Sequence, residues 1–236
     1  MIKIKRTLAA VAVAGVGGVT AFTMTAGPAL ALPADYTVTS GGSTNDVTAN
    51  NLGPLEFQDT YYGWNTGAAM VCDTLDADGE VFPGDHAFTT GSTVTDAAGQ
   101  VTPAAGDLDD CTNTVVGDVE LTPSGTWKLG LSSKSGNGGT GYLSGVQVHL
   151  HGDVVDPVTG NTETCDADAA GTLKGTYDGT TGQLTLDHTY NGLTLTNVTS
   201  SNPTAPVPLC DNVGIYEGDP AAGDGVVQLT PAPSIS

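Results

Sequence analysis

Apolar and polar residues alternate along most of this chain. The pattern is plain in YTVTS, AFTTGSTV, DVELT, TWKLGL, VQVHL, QLTLDHTY, LTLTNVT and VVQLT. Period two sends successive side chains to opposite faces, the mark of a half-buried strand. No segment sustains an apolar period near 3.6, so helix is expected to be nearly absent. Between the strands recurs a short cassette in which Gly follows small or polar residues: DADGEV, DAAGQV, TPSGTW, PVTGNT and GTTGQL. Gly adopts the positive φ that tight hairpin turns need. Strands and turns at this spacing predict an all-β fold, an antiparallel sandwich or barrel built from hairpins.

The segment GVQVHLHGD, residues 145–153, shows what the alternation decides locally. Val146, Val148 and Leu150 share one face and make the core set. Gln147, His149, His151 and Asp153 share the other. That leaves His149 and His151 on the wet face without a structural role. Two imidazoles at this spacing also make half of a metal site, although zinc takes three or four ligands. Asp153 does not complete the set from a straight strand, lying ~13 Å from His149 at ~3.4 Å per residue. His188, in QLTLDHTY, is expected to point away from the pair.

The two halves of the chain echo one another. CDTLDADGEV from Cys72 parallels CDADAAGTLKG from Cys165, and CTNTVVGDVELTP from Cys111 parallels CDNVGIYEGD…VVQLTP from Cys210. One duplicated unit per half, meeting near residues 125–135, accounts for both echoes; shared turn chemistry accounts for them equally. Four cysteines in an exported chain read as two disulfides with three possible pairings. Sequential pairing, Cys72 with Cys111 and Cys165 with Cys210, keeps each bridge within one half. A zinc site is disfavoured, since no close C-x-x-C spacing occurs.

Export itself is read from the N-terminus. Lys3, Lys5 and Arg6 precede an Ala/Val-rich run that ends at Ala29-Leu30-Ala31, the layout of a secretory leader. Residues 1–31 are expected to be removed, leaving 32–236 as one all-β domain. The leader holds three of the six basic residues and none of the 26 acidic ones. What remains is Lys128, Lys134 and Lys174 against 26 carboxylates, a net charge of about −23. Such a surface repels phosphate backbones and attracts cations. Nucleic-acid binding, which needs clustered Lys and Arg, is excluded.

The runs SGTWKL, LSGVQVHL, TYDGTTGQLTL, LTLTNVT, LCDNVGIYEGDPA and QLTPAPSIS resemble a group of secreted actinobacterial Thr/Gly-rich β proteins with two Cys pairs. The similarity spans most of the chain after the leader and is clearest from Cys111 to the end. It implies export and β architecture and assigns no activity. The stronger acidity and the two-histidine strand depart from that group's pattern.

Other chemistry-bearing patterns are weaker. TLDADGEVFPGD, residues 74–85, matches part of a calcium loop through Asp76, Asp78, Gly79 and Asp85, yet Thr74 holds the first ligand position and no helix flanks it. GNGGTG, residues 136–141, satisfies G-x-G-x-x-G but precedes a strand where a dinucleotide site needs a helix, and reads as a flexible loop. There is no G-x-S-x-G nucleophile elbow, and no catalytic residue is assigned. NVT at 197–199 is a glycan acceptor only in a eukaryotic secretory route, which the leader does not favour.

The expected function is an exported, non-enzymatic module of the extracellular space or cell envelope, with a structural, adhesive or binding role and no cofactor. An envelope component and divalent cations are the partners that fit. Two other readings stand beside it: an envelope pore-forming β protein, and a secreted metal-binding protein or enzyme using His149 and His151. A pore's lipid face needs a continuous apolar band, whereas the outward residues here are largely Thr, Gln, Asp and Asn.

Overall fold

A computed structural model describes residues 35–60, 69–155, 160–205 and 207–236. The expected leader, 1–31, and residues 157–159 of the PVTGNT cassette lie outside the described residues. The first strands are β1 (Tyr36–Thr39), β2 (Asp46–Asn51), β3 (Leu55–Asp59), β4 (Met70–Val81) and β5 (Gly84–His86). Next come β6 (Gly99–Val101), β7 (Leu108–Asn113), β8 (Gly117–Ser124), β9 (Trp127–Ser135) and β10 (Gly138–Val155). The chain continues with β11 (Thr162–Asp178), β12 (Gln183–Leu186) and β13 (Leu193–Ser200). A single turn of helix, α1 (Leu209–Asn212), precedes β14 (Pro220–Thr230) and β15 (Ser234–Ile235).

Hydrogen-bonded neighbours close into two rings. From β10 the path β9, β6, β4, β2, β14, β12, β11 returns to β10. A second path, β8, β7, β4, β3, β14, β13, β11, also returns to β10. Every pairing is antiparallel, as the alternation and turn spacing predict. The shared strands β4, β10, β11 and β14 are the four longest, at 12, 18, 17 and 11 residues. Each is long enough to run through both rings, while shorter strands serve one ring only. Closure removes the open edges that a sandwich leaves, so the fold is barrel-like.

Most apolar positions of the strands point inward. Val47, Ala49, Ala77, Leu184, Leu186 and Leu229 are buried in the first ring, and Met70, Leu121, Val148, Leu150, Ala167 and Leu195 in the second. Side chains fill the first ring to leave a cavity of about 70 Å³ lined by Val47, Leu75, Trp127, Tyr177 and Leu186. The small sheet β15–β1–β5 contributes Val38 and Ile235 to that lining. At the second ring, Ile215 from the segment after α1 packs beside Met70 and Leu150.

The disulfides pair Cys72 with Cys111 and Cys165 with Cys210, in sequential order. Cys72 and Cys111 are direct cross-strand partners on β4 and β7. The second bridge ties α1 to β11. Both therefore serve the second ring, and both rings draw strands from both halves of the sequence. The 125–135 stretch, expected as a junction between half-repeats, is mostly β9 in the first ring. The described residues belong to one compact unit.

Three local expectations are corrected. DADGEV is not a turn; it is the second half of β4. A Cβ on Gly79 would stand 2.7 Å from the Gln100 carbonyl oxygen, so this Gly serves a close approach of β6, not a reversal of direction. AFTTGSTV, residues 87–94, forms no strand. In GNGGTG only Gly136 takes a left-handed turn conformation, at φ 58°. Gly138, Gly139 and Gly141 lie in β10, where a Cβ would run into the backbone carbonyls of Tyr177, Ser133 and Gly130. The loop expected there is a strand squeezed between two neighbours.

Candidate site: a histidine–carboxylate face on the second ring

The alternation of β10 places Val146, Val148 and Leu150 in the core and turns Gln147, His149 and His151 outward. Pairing with β11 then decides what the histidines meet. His149 stands directly opposite Asp168, and His151 directly opposite Asp166. In each pair the imidazole Nδ1 lies 2.7 Å from a carboxylate Oδ1. A carboxylate only accepts, so each Nδ1 carries the proton and donates. In the neutral ring that leaves the lone pair on Nε2. The Nε2 of His149 is 3.9 Å from Asp166 Oδ1, beyond hydrogen-bond range.

A third strand fixes the carboxylates. The β11–β13 ladder slips between Asp166 and Asp168, which places an extra residue on β13. Within that bulge Asn197 has φ 56°, a left-handed conformation that Asn tolerates better than most residues. Its Nδ2 donates to Asp168 Oδ2 at 2.7 Å. Asn197 of the NVT triplet is thus committed to Asp168. On the other side β8 sets Thr122 opposite His149 and Glu120 opposite His151. Beside them runs a groove of about 410 Å³ lined by Asp109, Asp118, Glu120, Thr122, His151 and Asp153.

The electrostatics follow the contacts. The hydrogen bond to Asp166 holds His151 above the ordinary imidazole range against some burial, with help from the charges of Asp166, Asp153 and Glu120. Hydrogen bonds from Asn197 and His149 hold the Asp168 carboxyl below its usual value. The His149 and His151 side chains keep 50% and 39% of their exposure, so solutes reach both rings.

The other candidate residues lie apart from this face. Asp76 and Asp78 project outward from β4, and Asp76 accepts a hydrogen bond from Asn50. Asp85 sits on β5 and accepts from Thr37 Oγ1 at 2.7 Å. An extended strand sets carboxylates along a line, whereas a calcium loop wraps them around a centre. His188 occupies the turn after β12, 4.0 Å from Asp224 Oδ2. Among the described residues, no group of three or more His, Cys, Asp or Glu side chains is arranged to hold a metal ion.

Asp166, Asp168 and Asn197 were not singled out by the sequence pattern. A signal was nonetheless there. Asp166 and Asp168 alternate with Ala167 and Ala169, and they lie as far after the PVTG cassette as His151 and His149 lie before it. Asn197 carried no such signal, because its role depends on a bulge in a third strand. No family model matches the chain, and no curated protein or solved structure matches it either.

Proposed function

We propose that this protein is an exported, non-enzymatic module of the extracellular space or cell envelope, whose binding surface is the outward histidine–carboxylate face of β10 and β11. The observation that carries this reading is the polar ladder built on the most heavily paired strands of a closed, disulfide-stapled barrel. A rigid framework that presents ordered polar groups to water suits recognition. Two disulfides accord with an oxidising compartment. The leader pattern and the resemblance to secreted actinobacterial Thr/Gly-rich β proteins support export.

Burial bears on the pore reading. Apolar side chains fill the rings, and the large apolar side chains exposed among the described residues are Leu52, Val115, Val155 and Val207. They are scattered at strand ends and in turns, while a lipid-facing barrel concentrates such residues in a continuous outer band. Among the described residues, no helix is long and apolar enough to cross a membrane.

Fractionation of the producing cells tests the proposal. The expected result is protein in the medium or wall fraction with its N-terminus at Leu32, read by mass spectrometry. Recovery in the membrane fraction, with ion conductance in planar bilayers, replaces this reading with a pore. Retention in the cytoplasm with an intact N-terminus overturns export.

A further inference from the structure

We infer that His149 and His151 form a surface chelate, through their Nε2 atoms, for a late first-row divalent cation, with copper(II) preferred over nickel(II) and zinc(II). The inference rests on the reading above only in taking this face as the functional one. It is measured on purified protein, so failure of export and failure of chelation are separate results.

Residues i and i+2 of a strand stand ~6.8 Å apart on one face, within reach of a shared ion for side chains as long as His. Orientation is the stronger reason. Metal-bound histidines characteristically donate their second ring N–H to a carboxylate, which fixes the tautomer and raises the basicity of the ligating nitrogen. Both rings have that arrangement here, at 2.7 Å each. Outward-facing histidines on a strand need no such partners. The support extends one layer further, because Asn197 holds Asp168 from the bulge in β13. β10 pairs on both sides at these positions, with β8 and β11, so the rings sit on a stiff backbone.

The surroundings favour a cation. Glu120 stands opposite His151 on β8, Asp153 lines the same groove, and the chain carries a net −20. Two nitrogen ligands with water completing the shell suit copper(II) and nickel(II), whose square-planar and tetragonal sites leave positions for solvent. Structural zinc, by contrast, takes four protein ligands. The affinity order expected at a nitrogen site places copper above both competitors.

The test uses the mature chain, residues 32–236, without an affinity tag and stripped with chelator. Copper sulfate, nickel chloride and zinc chloride are titrated separately by calorimetry, and the copper complex is examined by electron paramagnetic resonance. The expected result is one equivalent of copper bound most tightly, with nitrogen hyperfine structure. His149→Gln or His151→Gln should each weaken binding at least tenfold, and His188→Gln should not change it. Asp168→Asn keeps both imidazoles and should weaken binding about 10- to 100-fold, the usual loss on removing such a partner. Circular dichroism of each variant confirms that it is folded. Absence of one-site binding, binding that survives both histidine changes, or loss on His188→Gln overturns the proposal. So does an Asp168→Asn variant that binds like the parent, because chelation by any exposed imidazoles would ignore the carboxylate.

Discussion

His86 Nδ1 lies 2.8 Å from Asp96 Oδ1, joining β5 to the irregular segment that leads into β6. The ring is buried, its Nε2 stands 2.7 Å from the Phe82 carbonyl oxygen, and its face stacks on Tyr36 at 5.6 Å between centroids. Tyr36 in turn accepts the Leu131 N–H through its hydroxyl. His86 therefore helps fasten the small three-stranded sheet to the first ring.

Replacing His86 by Ala should destabilise the fold. It leaves the Phe82 carbonyl and the Asp96 carboxylate without this partner and opens space beside Tyr36. Both acceptors are partly reached by solvent, so the loss should stay within the about 1–3 kcal/mol that unpairing a fully buried polar group costs. For a chain of this size that lowers the thermal midpoint by roughly 2–12 °C. A midpoint equal to the parent's, followed by circular dichroism, would show that the contact contributes nothing.

Asp96 gives a pH signature. The Ala87 backbone N–H and His86 hold its carboxyl below the usual carboxylate value, against a small opposing effect of burial. A depressed folded value means its stabilisation is complete above the unfolded value near pH 4. That contribution fades as pH falls through the lower folded value. Because 45% of the Asp96 side chain stays exposed, solvent screening keeps the effect modest. Urea midpoints of the parent and Asp96→Asn should differ at pH 6 and converge towards pH 2. A constant gap across that range contradicts the assignment.

The bridges close segments of 39 and 45 residues, for which the chain-entropy model gives at most about 4 kcal/mol each. Their loss should be felt differently. Cys72→Ser with Cys111→Ser removes a clip between strands already hydrogen-bonded to each other. Cys165→Ser with Cys210→Ser releases α1, so amide exchange should rise first in 209–215, ahead of the β10–β11 ladder. Equal, global exchange in both variants would sink this distinction. Non-reduced peptide mapping of the parent should show only the two sequential pairs.

Gly139→Ala should cost about 1–3 kcal/mol, the range for forcing atoms into filled space. The added methyl meets the Ser133 carbonyl where β9 passes β10. Gly53→Ala is the control, since nothing stands within 4 Å of a Cβ there. Chemical unfolding of both variants measures the contrast; equal midpoints would mean that β9 yields without cost.

The alternation by itself determined the strand character of β8, β9, β10, β12, β13 and β14, and on β10 which way the side chains face. Val146, Val148 and Leu150 turn inward because apolar residues at period two leave one solution for a half-buried strand. The TPSGTW and GTTGQL turns were equally legible, as turn chemistry is set by a few adjacent residues. Cysteine order indicated the bridges. Partner identity is another matter, since it depends on register between segments far apart in sequence. Tertiary structure alone decided that β10 and β11 close two rings and that Gly79 and Gly139 lie in strands pressed by neighbours. It also decided that the buried histidine is His86. The same holds at the candidate site. Local sequence turned His149 and His151 outward, but only the β10–β11 register set Asp168 and Asp166 opposite them. Only the β13 bulge, a non-local mismatch of one residue, aimed Asn197 at Asp168.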